Sequence, residues 1–457
     1  MDLKRNDLSV RAERAILVGI TPPGEKRSPG EILEELSGLA HTAGAVVVEK
    51  VCQYNHLVDP AWYVGKGKAA QIAELCETFD ADVVICDDDL APRQVRNLEQ
   101  TLKRKTIDRS ELILDIFATR AETTQAQLQV ELAQLEYAYP RLKAMWTHFS
   151  RIVGGGMAGG VGVRGPGEKQ LEVDRRLVEK RIHELRSRLK TIEKRQEEAV
   201  STRKKRFLTA CLVGYTNAGK SSMMNALTDA GVLVADKLFA TLESTTRKLE
   251  LGRAREIMVS DTVGFIRKLP HHLVASFHAT LEEARRADLL LHVADVASPN
   301  VMDEIESVET VLTELGCRDT PAILVLNKSD IMRDSAMLPL LRNRHKRVHL
   351  VSAETGDGLD GLRDALREFC DSFEAEVTLR MPIARGDLAS AVRRAGKVLE
   401  QTCDGEDMII RARIPTAYAE SFEKAGARIT REAAGEVNEA PSTGSSPMAT
   451  AERTSEI

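Results

Sequence analysis

The eight residues 214–221 constrain the fold of this chain more than any other segment. They match the pattern G-x-x-x-x-G-K-[ST], and they read Gly214-Tyr215-Thr216-Asn217-Ala218-Gly219-Lys220-Ser221. The apolar run Leu208–Val213 precedes them and a helical pattern follows, which is the strand–loop–helix context that the motif needs. In that context glycines let backbone N–H groups converge on phosphate oxygens, and Ser221 can offer its hydroxyl to Mg²⁺. The segment therefore predicts a phosphate-binding α/β domain.

Four further apolar runs follow this loop, each separated from the next by an amphipathic helical pattern. They are Ile257–Ser260, Leu289–Val293, Ala322–Leu326 and Val348–Val351. Strands that alternate with helices form parallel sheets covered on both faces. We expect a doubly wound, mostly parallel sheet, and we place this domain at residues 207–374.

The tetrapeptide Asp261-Thr262-Val263-Gly264 follows the strand that ends at Ser260. An aspartate at that position can hold Mg²⁺ through water, and a glycine brings its N–H close to the γ-phosphate without a side chain in the way. A loop between Ser221 and Asp261 must also supply a threonine that binds Mg²⁺ when the γ-phosphate is present. The spacing leaves three candidates, and these are Thr241, Thr245 and Thr246.

The residues Asn327-Lys328-Ser329-Asp330 follow directly after the predicted strand Ala322–Leu326 and predict which base is bound. Guanine offers N–H groups at N1 and N2 that one carboxylate, here Asp330, can accept together, whereas adenine has no such pair. Asn327 is expected to connect this loop to the phosphate loop. After the last strand, the run Ser352-Ala353-Glu354 is expected to add a backbone N–H to the guanine O6.

The rest of the chain divides into four further parts. Residues 11–120 predict a small α/β domain, 121–206 a helical hairpin, 375–432 a small module with the order β, α, β, and 433–457 a disordered tail. In the first domain we expect strands over Ala15–Ile20, Ala45–Val51 and Asp82–Asp87, with helices over Glu31–Ala43 and Lys68–Phe79. In the last module we expect strands over Val377–Met381 and Met408–Ile414 around a helix over Leu388–Gln401.

The hairpin is predicted from two apolar seams with coiled-coil spacing. They comprise Leu128, Leu132, Leu135, Tyr139, Leu142 and Trp146 in the first helix, and Val178, Ile182, Leu185, Leu189 and Ile192 in the second. Pro140 should kink the first helix, and the glycine-rich run from Gly154 to Gly167 should form a mobile loop. Residues 171–206 carry thirteen Lys/Arg against seven Asp/Glu, in a chain of net charge −5. This excess favours a nucleic acid partner as much as a solvated helix face.

Composition excludes several other classes of protein. Seven scattered cysteines without a CxxC pair argue against a disulfide framework or a zinc site and for a reducing compartment. The first apolar run is too short for a membrane span, and no cleavage signal follows it. We therefore expect a cytoplasmic protein that does not insert into membranes, with loose membrane association at most. We also expect a monomer and no DNA partner, although composition itself leaves the oligomeric state open.

Four other features have competing interpretations. Asp87-Asp88-Asp89 suggests a metal site, but a solvated loop is favoured because no second carboxylate cluster accompanies it. The run from Tyr63 to Lys68 reads YVGKGK and invites a second nucleotide site in the N-terminal domain, yet a turn before a helix fits better. Phe265 stands where Ras-like proteins place a water-orienting glutamine. It is either a replacement that leaves the attacking water without a partner or simply a packed switch residue, which is favoured, and both interpretations predict slow intrinsic hydrolysis. His271 and His272 are expected to start a helix rather than act as a base.

Several long runs resemble one family, the HflX GTPases of the Obg–HflX group. GYTNAGKSS is near that family's GYTNAGKST, FATLESTTR resembles its FATLDPTTR, and DTVGFIRKLPHHLVASFHATLEE is nearly its whole second switch. LILDIFATR, LQVELAQL and RGPGE upstream also match. The resemblance covers about residues 12 to 375, is weak over 376–430 and does not include the tail. Glu243-Ser244 replaces Asp-Pro, and Lys169 replaces a threonine.

The resemblance implies a Mg²⁺-dependent GTP hydrolase that binds the large (50S) ribosomal subunit and its rRNA, with GTP as substrate and GDP as product. It places the Mg²⁺ threonine at Thr241, within a nucleotide-contacting segment that comprises Phe239, Ala240, Thr241, Leu242 and Glu243. Lys220, Thr241 and Gly264 are then the residues expected to act on the γ-phosphate, with Ser221 and Thr241 as metal ligands. Two alternatives remain open: an RNA-remodelling ATPase that uses the N-terminal domain, and a nucleotide-gated scaffold for a protein partner.

Overall fold

The structure is a computed structural model and describes residues 13–21, 23, 28–55, 57–154, 175–192, 194, 207–228, 238–239, 241, 245–252, 255–267, 278–333 and 335–431. Within these ranges no helix combines the length and the apolar character that crossing a bilayer requires. The chain divides into two compact units between Phe369 and Cys370.

A four-stranded parallel sheet with the order β2-β1-β3-β4 forms the N-terminal domain. Its elements are β1 (Arg14–Thr21), α1 (Pro29–Ile32), α2 (Glu34–Ala43), β2 (Val46–Tyr54), α3 (Lys66–Thr78), β3 (Val83–Cys86), α4 (Pro92–Leu102), β4 (Lys105–Asp108) and α5 (Arg109–Arg120). The three predicted strands and two predicted helices are present. Strand β4 was missed, because its Lys-Thr-Ile-Asp sequence is only four residues long and mostly polar.

Two layers of buried side chains cover the faces of this sheet. One cluster, with Ile16, Ile72 and Leu98, lies entirely within the N-terminal domain. The other cluster, with Leu17 and Phe117, continues without interruption into the phosphate-loop strand at Val213. The N-terminal domain and the phosphate-binding domain therefore share one apolar core.

The helical hairpin consists of α6 (Thr124–Gly154) and α7 (residues 175–192). Its predicted seams meet: Leu128, Leu132 and Leu135 pack against Ile182, Leu185 and Leu189. Two Arg–Glu pairs, Arg181–Glu131 at 2.8 Å and Arg186–Glu136 at 2.7 Å, flank the seam. Helix α6 continues through Pro140. The side chains of Leu142 and Trp146 and the glycine-rich loop lie outside the described residues, so the predicted kink and mobile loop stay predictions.

The second domain is built on a six-stranded sheet with the order β10-β9-β8-β5-β7-β6. Its elements are β5 (Leu208–Gly214), α8 (Lys220–Thr228), β6 (Thr245–Gly252), β7 (Arg255–Asp261), α9 (His278–Arg286), β8 (Leu289–Asp295), α10 (Val301–Glu314), β9 (Ala322–Asn327), α11 (Leu338–Arg344), β10 (Val348–Leu350) and α12 (Leu359–Ser372). All neighbouring strands are parallel except β6, which pairs antiparallel with β7 at the edge. The predicted doubly wound, mostly parallel sheet is confirmed, with this edge strand as the addition.

The C-terminal module contains more elements than predicted. It has the order β11 (Glu374–Pro382), α13 (Gly386–Ala395), β12 (Lys397–Asp404), β13 (Asp407–Pro415), α14 (Thr416–Lys424) and β14 (Arg428–Arg431). The predicted helix over Leu388–Gln401 was wrong after Ala395, because the sequence turns at Gly396 into an almost wholly exposed strand. Apolar periodicity marks only elements that bury a face, and β12 buries very little.

Candidate functional site

The phosphate loop joins β5 to α8 in a conformation that only glycine tolerates at two positions. Gly214 and Gly219 have φ angles of 153° and 90°, which side chains rarely adopt. A Cβ on Gly219 would collide with the amide of Asn327. Glycine is therefore required at both positions for the loop to follow this path.

Lys220 is the first residue of α8, and its side chain is only 6% exposed. Its Nζ donates to the carbonyl oxygens of Gly214 at 3.1 Å and Tyr215 at 2.8 Å. Burial disfavours the charged amine and lowers the pKa of Lys220 to about 8, while the negative charge of Asp261 acts in the opposite direction. A phosphate beside this ammonium would compensate its charge, so the environment suits an anion.

Three oxygen-bearing side chains converge beside Lys220, namely Ser221, Thr241 and Asp261. Ser221 Oγ lies 2.7 Å from Thr241 Oγ1 and 2.7 Å from Asp261 Oδ2, and Thr241 Oγ1 lies 3.2 Å from the same carboxylate oxygen. Burial raises the pKa of Asp261, against the lowering effects of Lys220 and the two hydroxyls. The structure brings together the three predicted members of the cation site although they come from three separate segments.

This cluster fits Mg²⁺ by its donor set and by an unsatisfied atom. Oxygen ligands are what Mg²⁺ prefers. Asp261 Oδ1 is buried and has no hydrogen-bond partner within the described part of the chain. Thr246 instead faces Ser260, with 2.9 Å between their hydroxyl oxygens, and Thr245 lies in β6 opposite Asp261. Of the three candidate threonines, Thr241 is the one placed against Ser221.

The segment after Asp261 is hydrogen-bonded to β5 and lies against the phosphate loop. Thr262 Oγ1 donates to Leu212 O at 2.6 Å, and the side chain of Val263 is buried in the core. A Cβ on Gly264 would lie 2.7 Å from Thr216 Cα and 2.9 Å from Lys220 Nζ. Only glycine therefore fits here without displacing the loop or the lysine.

Phe265 continues this connection. Its N–H donates to Gly214 O at 3.0 Å, and its carbonyl accepts from Thr216 N at 2.7 Å. The ring is 2% exposed and belongs to the shared core. The structure thus gives Phe265 a packing role, and its apolar ring has no group that could orient a water molecule.

The base-recognition residues are held at the ends of β9 and β10. Asn327 Nδ2 donates to Ala218 O at 3.0 Å, and Asn327 Oδ1 accepts from Ala353 N at 3.0 Å. Lys328 pairs with Asp295 at 2.7 Å. One buried amide therefore connects the phosphate loop to the segment that contains Ser352, Ala353 and Glu354.

Asp330 lies in the short 3-10 turn Ser329–Ile331 and is exposed. Ser329 N donates to Val351 O at 3.1 Å, which fixes the turn to the last strand. Ser352 is fully buried and accepts from Thr355 N at 3.1 Å. This scaffold presents the Asp330 carboxylate to solvent at the strand ends, where a base can meet it.

Some predicted residues lie outside the described part of the chain. They are Ala240, Leu242 and Glu243, which belong to residues 238–243, named here the first switch segment, together with His271 and His272. The two alternative features of the N-terminal domain are described. Gly65 is the N-cap of α3 and its N–H donates to Gln53 Oε1 at 2.8 Å, so the turn before a helix is confirmed.

The aspartates that suggested a metal are engaged by neighbouring side chains. Asp87 pairs with Arg109 at 2.7 Å, Asp88 accepts from the Tyr63 hydroxyl at 2.7 Å, and Asp89 accepts from Ser110. Asp87 and Asp88 are half-buried rather than solvated. Within the described residues no three His, Cys, Asp or Glu side chains form a metal-binding group.

Sequence reasoning missed three residues of the N-terminal domain that touch this site. Glu35 accepts from the Tyr215 hydroxyl, Arg109 donates to the main chain of Arg267, and Phe117 packs on Phe239. The pairs are between about 120 and 180 residues apart in sequence. No local sequence pattern therefore indicates these contacts, which become visible only in the folded arrangement of the two domains.

Three family descriptions match successive parts of the chain. "GTP-binding GTPase N-terminal" matches residues 30–118, "GTP-binding GTPase Middle Region" matches 120–203, and "50S ribosome-binding GTPase" matches 209–328. Together they include most of the N-terminal domain, most of the hairpin, and the phosphate-binding domain from residue 209 through Lys328.

Curated relatives are similar over most of their length. GTPase HflX of Lacrimispora saccharolytica is 42% identical over 405 residues, which are 88% of this chain and 94% of that protein. GTPase HflX of Escherichia coli is 45% identical over 383 residues, 83% of this chain and 88% of that protein. A crystal structure of a GTP-binding protein from Sulfolobus solfataricus with GDP is 26% identical at a TM-score of 0.42, with coverage of 78% and 98%. The sequence identities, combined with the phosphate loop and guanine motif described above, place the chain in the HflX family of P-loop GTPases, enzymes that hydrolyse GTP.

Proposed function

We propose that this chain is a Mg²⁺-dependent GTP switch that binds the large ribosomal subunit in the cytoplasm and is stimulated by it. Rescue, recycling or biogenesis of ribosomes is the process that such a switch would serve. The observation that carries the proposal is the convergence of Ser221, Thr241 and Asp261 beside the buried Lys220. In this arrangement Thr241 would bind Mg²⁺ only when a triphosphate is present, and the site would respond to the nucleotide state.

Each residue of the nucleotide site has a proposed role. Ser221 and Thr241 would be the protein ligands of Mg²⁺, and Asp261 would hold the ion through water. When bound, Mg²⁺ would neutralise negative charge on the β- and γ-phosphates. Lys220 would contact the β- and γ-phosphates, and the N–H of Gly264 would bind the γ-phosphate. Asp330 would select guanine by accepting from its N1 and N2 groups.

Intrinsic turnover is proposed to be slow. Phe265 is buried against the phosphate loop, and a phenyl ring cannot position the attacking water. A stimulating partner would then have to complete the site, as partner groups do in other GTPases.

Support for a ribosomal partner comes from two sources. The family that matches residues 209–328 is described as a 50S ribosome-binding GTPase. Helix α7 is basic, and Lys180, Arg188 and Lys190 are exposed on it. Cations that release counterions from phosphates suit an RNA-rich surface.

The test is GTP turnover by the purified full chain with and without purified large ribosomal subunits, with ATP as competitor. We expect turnover to rise with large subunits but not with matched small subunits, and ATP not to compete. Lys220→Ala serves as the inactive control. ATP turnover that survives Lys220→Ala would instead support the ATPase alternative, and a rate unchanged by large subunits would support the scaffold alternative.

The Mg²⁺ assignment has its own test. Thr241→Ala should raise the Mg²⁺ concentration needed for half-maximal binding of a non-hydrolysable GTP analogue, whereas Thr241→Ser, which keeps the hydroxyl, should not. Equal Mg²⁺ dependence in all three proteins would contradict the assignment of Thr241 as a ligand.

A further inference from the structure

The N-terminal domain contacts the first switch segment through an aromatic pair. The rings of Phe117 in α5 and Phe239 meet edge to face, with 4.7 Å between their centroids and 70° between their planes. Beside them, a Cβ on Gly38 of α2 would lie 3.1 Å from Leu238 Cδ1. Phe239 is buried. The segment that leads directly into Thr241 is therefore packed against α2 and α5.

The same two helices hold the second switch segment through polar groups. Arg109, 3% exposed at the start of α5, donates to Arg267 O at 3.0 Å and pairs with Asp87 and Glu35. Tyr215 of the phosphate loop donates its hydroxyl to Glu35 and accepts from Arg267 N at 2.8 Å. The peptide groups on both sides of Arg267 are thus bonded, one to the phosphate loop and one to the N-terminal domain.

These contacts are costly to break. A buried guanidinium needs its partners, because losing one leaves a charge without compensation in a poorly solvated place. Burial already lowers the pKa of Arg109 to about 10. An edge-to-face ring pair adds stabilisation beyond the apolar area that it buries. The two switch segments cannot leave their positions without disturbing this interface.

We propose that Phe117 and Arg109 are positioning residues that hold both switch segments in the arrangement that binds Mg²⁺-GTP, so that docking of the N-terminal domain and triphosphate binding stabilise each other. The proposal rests on the proposed function, since it takes Thr241 as the Mg²⁺ threonine. Thr241 follows Phe239 by two residues and lies against Ser221 while Phe239 is packed on Phe117. Coupling between two sites is reciprocal, so the effect has to appear in both directions.

The first direction is measured as the ratio of two affinities in the full chain, one for a non-hydrolysable GTP analogue and one for GDP. Arg109→Met and Phe117→Leu should each weaken analogue binding by about tenfold and leave GDP binding nearly unchanged. Arg109→Lys, which keeps the charge but not the planar fork, should restore part of the ratio.

Two matched controls separate positioning from simple loss of stability. Arg104→Met removes an arginine that also donates to a main-chain carbonyl, Ala81 O at 2.7 Å, but within the N-terminal domain. Leu98→Ala opens a cavity in the cluster that has no member in the phosphate-binding domain. Both should leave the analogue-to-GDP ratio at its wild-type value.

The second direction is hydrogen exchange of α5. Its amides should exchange more slowly with the GTP analogue bound than with GDP bound, and Thr241→Ala should abolish that difference. An unchanged affinity ratio in Arg109→Met and Phe117→Leu, or an equal loss of both nucleotides, would overturn the inference. If Thr241→Ala changes neither Mg²⁺ dependence nor analogue affinity, the proposed function itself fails, which is a distinguishable result.

Discussion

A buried histidine should make the GTPase domain sensitive to acid. His292 lies in β8 between β5 and β9, opposite Val213 on one side and Leu324 on the other. It is 5% exposed, and its Nε2 has no hydrogen-bond partner within the described residues. Burial, with smaller contributions from the positive charges of His345 and Lys220, lowers the pKa of His292 to about 3.

The magnitude follows from the difference between folded and unfolded states. The unfolded pKa of a histidine is about 6.5, so at about pH 5 the unfolded chain binds a proton at this residue and the folded chain does not. Each unit between the pH and the unfolded pKa is worth about 1.4 kcal/mol, which gives about 2 kcal/mol lost at pH 5. Because the folded pKa is depressed, the full stability is present above about pH 6.5 and falls as the pH falls toward 3.

The assay compares wild type with His292→Leu, which suits the neighbouring Leu290, Leu291 and Val293. Hydrogen exchange of β8 amides at about pH 7 and about pH 5, corrected for intrinsic rates, reports the free energy of opening this strand. Wild type should lose about 2 kcal/mol more than His292→Leu between these pH values. His349→Leu, at a half-buried position on β10, is the control and should behave more like wild type. Equal losses in wild type and His292→Leu would show that His292 does not cause the loss of stability in acid.

Two further substitutions test the site itself. Gly264→Ala places a methyl group 2.7 Å from Thr216 Cα and 2.9 Å from Lys220 Nζ. Affinity for a GTP analogue should therefore fall by at least about tenfold, and by more than affinity for GDP. Equal affinities of wild type and variant in calorimetric titrations would contradict this close fit. Asn327→Ala removes the hydrogen bonds to Ala218 O and Ala353 N. GDP affinity should therefore fall by about 2 kcal/mol. A loss below about 0.5 kcal/mol would show that this amide does not hold the phosphate loop and the base-recognition segment together.

The sequence predicted the GTPase domain well because its elements are tied to local patterns. Each strand from β5 to β10 that is buried on both faces reads as a short apolar run, and each motif follows such a run. Strand β6 was not predicted, because its first four residues carry no apolar side chain and only Leu249 and Leu251 of the strand are buried. Choosing Thr241 among three threonines required the family resemblance, because the spacing was compatible with all three.

The interface with the N-terminal domain was beyond sequence reasoning. Tyr215 occupies a variable position of the phosphate-loop pattern, and nothing in the pattern indicates that its hydroxyl meets Glu35. Arg109 follows the aspartate that caps α5 and reads as an ordinary helix-start residue. Such pairs depend on how two domains pack, which is a property of the whole fold.

Recognition of guanine by Asp330 is the interaction on which the proposed function depends most. Asp330→Asn exchanges an acceptor of two N–H groups for an amide, which suits xanthine, since xanthine carries an oxygen where guanine carries its amino group. Calorimetric titration of wild type and Asp330→Asn with GDP and xanthosine diphosphate provides the measurement. We expect the variant to lose about 2–3 kcal/mol of GDP affinity and to gain affinity for the xanthine nucleotide. GDP binding of equal strength in both proteins would show that Asp330 does not recognise guanine.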